Sequence, residues 1–208
     1  MARVRATRTL ENALRRWGFH RIAGCDEVGR GCLAGPVMAG VVVLDPSRHI
    51  PGLADSKTLT AVERERLYEV IAARALSWSV ASVDAPEIDR LNIHHASLEA
   101  MRRAVLSLAP LPDLVLVDAF HIPNLYVAQR GVVGGDRRCA AIAAASIMAK
   151  VVRDRQMAQQ HAIDPRYGYD KHKGYATAEH RAAVDRFGYS TLHRRSFRRQ
   201  ATLFDRIG

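Results

Sequence analysis

The sequence predicts an α/β fold in one domain, on three observations. Short β-branched runs alternate along the chain with longer helix-type stretches,. Two of the apolar runs end abruptly in carboxylates, at Asp26-Glu27 and at Asp118. The length of 208 residues and a hydrophobic content of 48% suffice for one sizeable core,. No apolar run approaches the roughly 18–20 residues of a membrane span. The basic N-terminus lacks an apolar signal core, so a cytoplasmic protein is expected,.

In chain order, residues 10–17 read as a short helix capped by Thr9,. Residues 22–25 form a first strand and residues 36–44 (PVMAGVVVL) a longer second one,. Residues 45–59 are a loop ending in Asp55-Ser-Lys57-Thr-Leu. Thr60 and Glu63 make a capping box that opens a helix to about Leu76,. Residues 77–83 alternate as a third strand, and a helix runs from Asn92 to about Leu108, stopped by Pro110 and Pro112,. The segment DLVLVD (113–118) is a buried strand, followed by a short extended piece near residues 126–133. An Ala-rich helix spans about Arg138 to His161, and a C-terminal region holds a helix from about Thr177 to Arg186. No repeat, low-complexity linker or second domain is visible.

The chemistry concentrates in Asp26-Glu27-Val-Gly29-Arg30-Gly31. Neighbouring strand residues point to opposite faces, so both carboxylates can serve one site only where the strand ends. Gly29 and Gly31 permit close backbone approach, and Arg30 suits phosphate,. Asp118 ends the DLVLVD strand, and Asp136 sits just before the long helix. Sites in open α/β sheets gather at strand ends and adjoining helix N-termini, so these four carboxylates can converge. Their repulsion calls for cations, and two divalent ions about 4 Å apart would neutralise it. Singly, each has an ordinary alternative: a water-facing strand-end pair, a turn residue at Asp118, a helix cap at Asp136. Together they favour a metal-dependent phosphoryl-transfer site.

The net charge of +10 resides at the two ends. Residues 1–21 carry six Arg against Glu11, and residues 181–208 seven Arg against Asp185 and Asp205. The middle is neutral, with 18 basic and 18 acidic residues. Basic ends on a neutral body suit a grip on nucleic acid, although an arginine-biased composition explains the charge alone equally well. Cys25, Cys32 and Cys139 show no metal-type spacing and are expected as free, buried thiols,.

Several long motifs in order, CDEVGRGCLAGPV, DSKTL, NIHHASLEAM, LVLVDAF, GGD, AAASIMAKVVRD, KHKGYAT with His180, and HRRSF, make the chain resemble bacterial ribonuclease HII from about Arg21 to Phe197. The resemblance implies a ribonuclease H-like fold, a mixed five-stranded sheet flanked by helices, with a C-terminal helical extension. Residues 1–20 and 199–208 are then basic flanking segments. It implies magnesium- or manganese-dependent hydrolysis of the RNA strand of RNA–DNA hybrids and incision 5′ of ribonucleotides in duplex DNA. Attack by an activated water would give 3′-hydroxyl and 5′-phosphate ends. Carried over by motif, Asp26, Glu27, Asp118 and Asp136 are the implied catalytic and metal-binding carboxylates. Gly29, Arg30 and Gly31 are the turn that senses the 2′-hydroxyl, the group separating RNA from DNA. Tyr175 is the tyrosine that packs on the following sugar. Many relatives have glycine where this chain has Ala119, and lysine where it has Gly134. The related ribonuclease HIII group carries an N-terminal substrate-binding domain, for which the first 21 residues leave no room.

Among other residues, Lys57, Lys150 and Lys173 could contact phosphate, and Arg194 and Arg195 fit a DNA-backbone role. Asp154 lies roughly 27 Å beyond Asp136 if the helix is continuous, and an ion pair with a nearby arginine is expected. His94, His95 and His180 suit packing or support of other groups. A monomer is expected, and binding to a sliding clamp is not legible. Two alternatives stand beside this assignment: another nuclease or transposase on the same fold, and a non-catalytic nucleic-acid binder.

Overall fold

Every residue of Val37–Leu44 is buried, as a strand covered on both faces requires. The computed structural model describes residues 6–197. Strands β1 (Ile22–Val28), β2 (Val37–Leu44), β3 (Ala75–Val83), β4 (Leu114–Asp118) and β5 (Ala128–Val132) form one sheet in the order β3-β2-β1-β4-β5. The β1–β2 and β2–β3 pairs are antiparallel, whereas β1–β4 and β4–β5 are parallel. The described helices are α1 (Thr9–Arg16), α2 (Ala61–Arg74), α3 (Ala85–Leu91), α4 (Ile93–Leu106), α5 (Gly135–Arg138), α6 (Ala140–Ile163), α7 (Tyr169–His172) and α8 (Ala178–Phe187).

The two-residue period of the strands sorts the core into two layers. Ile22, Val42, Leu44, Leu114 and Leu116 pack with α6 and α2, while Ala23, Cys25, Val41, Val43, Val115 and Val117 pack with α4. The alanines of α6 let that helix lie close on β1. A Cβ on Gly24 would stand 2.1 Å from the backbone of Ala141, and one on Gly40 2.3 Å from the carbonyl oxygen of Ala145. The helix is therefore seated against backbone, which fixes its height over the sheet. Its first turn receives no side-chain cap from Cys139; instead Glu11 of α1, only 1% exposed, accepts the Ala141 N–H at 2.9 Å.

Several expectations need correction. Strand β1 continues through Asp26 and Glu27 to Val28, because β2 still pairs with it there. Thr9 is the first helical residue of α1 and its hydroxyl meets Thr7, so it is no cap. Helix α2 ends at Arg74 and β3 begins at Ala75. Helix α3, capped by Asp84, was not expected; its seven residues are too few to show a period,. Asp136 occupies the separate turn α5, and α6 starts beyond Cys139. All three cysteines are buried and free, as expected. Among the described residues no helix is long and apolar enough to cross a membrane. Residues 199–208 and the first five of the N-terminal segment lie outside the described residues.

Candidate active site

Strand β1 keeps its β2 partner up to Val28, but its register with β4 ends at Cys25 opposite Val117. Beyond that pair β1 and β4 part, and Asp26, Glu27 and Asp118 stand at the parting. Strand parity places Asp26 and Asp118 on the α6 face and Glu27 on the α4 face. The strand thus need not end for both carboxylates to reach one site; it need only lose one neighbour.

Asp26 is 6% exposed, accepts the Glu27 N–H at 2.8 Å and is bonded by the Ser146 hydroxyl, which is 2.9 Å from Ser56 Oγ. Burial pushes its pKa well up, and the Glu27 and Asp118 charges push further. Burial also raises Glu27, against the pull of Arg30, whose Nη1 is 3.5 Å from Oε1. Asp118 Oδ1 accepts the Gly135 N–H at 2.8 Å. Asp136, 5% exposed, is raised by burial, then by Asp55 and Asp118; Lys57 at 3.8 Å and Arg137 at 3.9 Å oppose this. The Asp-Ser-Lys motif therefore supplies three neighbours of the site, Asp55, Ser56 and Lys57, of which the sequence pointed only to Lys57. Ser146 was likewise missed, since a serine in an Ala-rich helix carries no signal of its own.

Among the described residues no three of these side chains are gathered as a closed metal-binding group. Carboxylates that repel one another draw together only around a cation. The donors nevertheless fit a hard divalent ion. All are carboxylate oxygens, and among the described residues the buried Glu27 Oε2 has no hydrogen-bond partner,. Such an orphaned acceptor is costly unless a cation completes it.

The Gly29-Arg30-Gly31 turn follows directly. Gly29 has φ +88°, and a Cβ there would meet Arg153 Nε at 2.3 Å. Gly31 is different: a Cβ would find nothing within 4 Å. Among the described residues no contact demands a glycine there, and the space over it is open. Arg30 lies over the Phe120 ring at 4.8 Å. Tyr175 joins the same loop through a backbone bridge to Cys32 and is 40% exposed, with Lys150 Nζ 5.6 Å from its ring.

Ala119, next to Asp118, has φ +58°. An L-residue pays about 1 kcal/mol in that region, a cost that glycine avoids. Ala119→Gly should raise stability by up to about 1 kcal/mol, read by thermal melting; a lower melting point would contradict the strained assignment.

Behind Tyr175 lies a buried histidine cluster. His193 Nδ1 accepts the Ser190 N–H at 2.9 Å, so its Nε2 carries the proton toward His180 Nε2, 3.0 Å away,. His180 Nδ1–H is then free to donate to the Tyr175 carbonyl at 2.9 Å. His172 accepts the Gly174 N–H on Nδ1 and meets the Tyr167 carbonyl through Nε2 at 2.7 Å. In this network a further proton on His180 or His193 would face an N–H. Burial lowers His180, and burial followed by competition with the neighbouring His180 for a proton lowers His193 to about 4. With the folded pKa depressed, the unfolded chain binds more protons in acid. Stability should therefore hold above about pH 6.5, the ordinary histidine value, and fall as pH drops toward 4. His193→Asn should flatten that slope in melting curves; an unchanged slope would exclude the cluster as its source.

The expectation that Arg194 faces a DNA backbone does not hold. It is 1% exposed, with its guanidinium spent on main-chain carbonyls. The expected arginine partner of Asp154 is also corrected, because Lys150 pairs with it at 2.7 Å. Lys57 is exposed at the rim, and Lys173 Nζ donates to the Asp170 carbonyl. The backbone N–H of Arg195 donates to Asp89 at 2.9 Å. His94 packs edge-on against Phe120.

Comparison with known proteins bears on the family and the fold. The family model described as Ribonuclease HII matches residues 23–200. The ribonuclease HII of Solibacter usitatus is 48% identical over 219 aligned positions, covering 99% of this chain and 96% of the relative. That of Ralstonia nicotianae is 53% identical over 179, covering 85% and 76%. The crystal structure of ribonuclease H2 from Pyrococcus horikoshii superposes with a TM-score of 0.73 at 26% identity, covering 90% of this chain and 98% of that one.

Proposed function

The chain belongs to the ribonuclease HII family, and from that premise we propose that it incises duplex DNA 5′ of an embedded ribonucleotide as well as cutting the RNA strand of RNA–DNA hybrids. Ribonuclease H activity is the family's. The finer reading is supported by one observation above all. Carboxylates at the parting of β1 and β4, Asp26 buried and Glu27 and Asp118 half-buried, lead within two residues into a turn whose Gly31 is open to a ligand, with Tyr175 tied to the same loop.

Asp26, Glu27, Asp118 and Asp136 would hold two Mg2+ or Mn2+ ions, which supply Lewis acidity for an attacking water and charge compensation at the leaving oxygen. The chain's own part is placement. Ser146 and Ser56 hold Asp26 in one orientation, and the Gly135 N–H does the same for Asp118. Lys57, flexible and exposed, offers a cation to phosphate at the rim. The 2′-hydroxyl meets the backbone of residues 29–31, and a site built to bond that hydroxyl rejects a sugar lacking it. Tyr175 packs on the following sugar. No side chain acts as nucleophile, and the products are a 3′-hydroxyl and a 5′-phosphate. A protein that only held a polyanion would gain nothing from buried, mutually repelling carboxylates.

The test is cleavage of a duplex with one embedded ribonucleotide, with and without magnesium. No metal-dependent cut 5′ of the ribonucleotide would overturn the reading. Gly31→Ala should leave thermal stability unchanged, because the space is empty, while slowing that cut strongly as the methyl group meets the sugar. Tyr175→Ala should lose more activity on the single ribonucleotide than on a continuous hybrid, which offers many registers. Equal losses would reduce Tyr175 to a general binding residue.

A further inference from the structure

Two arginines, Arg153 and Arg194, are almost wholly buried, at 0% and 1% exposure. Among the described residues neither forms an ion pair. Arg194 Nη2 donates to the Gly29 carbonyl at 2.7 Å, Nη1 to the Arg30 carbonyl at 2.9 Å, and Nε to the Gly35 carbonyl at 3.0 Å. Arg153 donates to Pro36 at 2.9 Å, Ala34 at 3.2 Å and Lys173 at 2.9 Å. A buried charge is tolerated only when its donors are fully engaged. Here all the engagement is with the main chain around the turn and the Tyr175 loop. Burial brings the Arg194 pKa down to about 10, so it stays charged at neutral pH.

The peptide unit is planar and trans, so its C=O and N–H point in opposite directions. Arg194 draws the carbonyls of Gly29 and Arg30 inward, which turns the N–H groups of Arg30 and Gly31 outward. Among the described residues neither amide has an acceptor, and the space over Gly31 is open. We propose that Arg194 is a positioning residue for ribonucleotide recognition, aiming the Arg30 and Gly31 amides at the 2′-hydroxyl while Arg153 ties the same loop to the Tyr175 segment. This rests on the reading of residues 29–31 as the hydroxyl-sensing turn. It assigns Arg194 a part in specificity without any contact to nucleic acid.

The test is a pair of affinities for Arg194→Lys at fixed salt, measured in calcium with a duplex carrying one ribonucleotide and with the same duplex in all-DNA form. Lysine keeps the charge but cannot span three carbonyls. The preference for the ribonucleotide duplex should fall roughly three- to tenfold, the loss of about one hydrogen bond, with all-DNA affinity unchanged. A fall in all-DNA affinity with the preference kept would mean a phosphate contact and overturn the proposal. Should the variant not fold, the native protein provides the second measurement. The Arg30 and Gly31 amide resonances should shift with the ribonucleotide duplex and not with the all-DNA duplex; equal shifts overturn the proposal. If the native protein itself shows no preference and no cut at the ribonucleotide, the reading of the turn fails rather than the role of Arg194.

Discussion

Asp118→Asn is expected to abolish cleavage while leaving the fold intact. Asp118 is the common neighbour of the site: its charge helps raise the pKa of Asp26, of Glu27 and of Asp136. Asparagine keeps an oxygen to accept the Gly135 N–H, so local structure survives. It removes one negative charge from a repelling group, so without metal the variant should melt at the same temperature as the parent or higher. It also removes a charged donor for a divalent ion. Losing a partner outside the coordination shell costs 10- to 100-fold in comparable sites, so the loss here should exceed about 100-fold. The stabilisation that manganese gives the parent should shrink in parallel. Cleavage at the parental rate, or an undiminished manganese shift, would remove Asp118 from the site.

Gly24→Val should be the most damaging single change to the fold. Even a Cβ at this position stands 2.1 Å from the Ala141 carbonyl carbon, 2.2 Å from the Ile142 nitrogen and 2.4 Å from the Ala141 oxygen. All three are backbone atoms of α6 and cannot swing aside as a side-chain tip can. Overpacking of a filled core costs about 1–3 kcal/mol, occasionally more, and a rigid neighbour places this case at or above the upper end. For a chain of this size that corresponds to a melting point lower by about 6–12 °C. Because α6 also carries Ser146, Lys150 and Arg153, a lifted helix should weaken cleavage in the surviving folded fraction. A melting point within about 2 °C of the parent would mean that the helix does not sit on the β1 backbone as described.

The proposed carboxylates Asp26, Glu27 and Asp118 stood out in the sequence because they end apolar runs, where an acidic group needs a reason to be, and Asp136 because it precedes a long helix. Tyr175 and Gly29-Arg30-Gly31 were legible only through their motifs. Arg194 was misread: a charged residue in an arginine-rich tail looks like a surface cation, and nothing local reveals that carbonyls from residues 29, 30 and 35 close around it. Ser56 and Ser146 went unseen for a related reason, since their link spans 90 residues. Helix α3 and the turn α5 are too short to carry a period.

By itself the sequence determined the alternation of strands and helices, the apolar pattern that buries β2 on both faces, and the residue types able to hold metal and phosphate. These depend on near neighbours and on the two periods of regular structure. Only the tertiary structure decided that β1 outruns its β4 partner at Cys25, so that Asp26, Glu27 and Asp118 stand where the two strands part. It alone decided which arginines face solvent and which are buried with their donors on main-chain carbonyls of residues 29–36. Burial and hydrogen-bond partnership are set by segments far apart in the chain, and a local pattern holds no record of them.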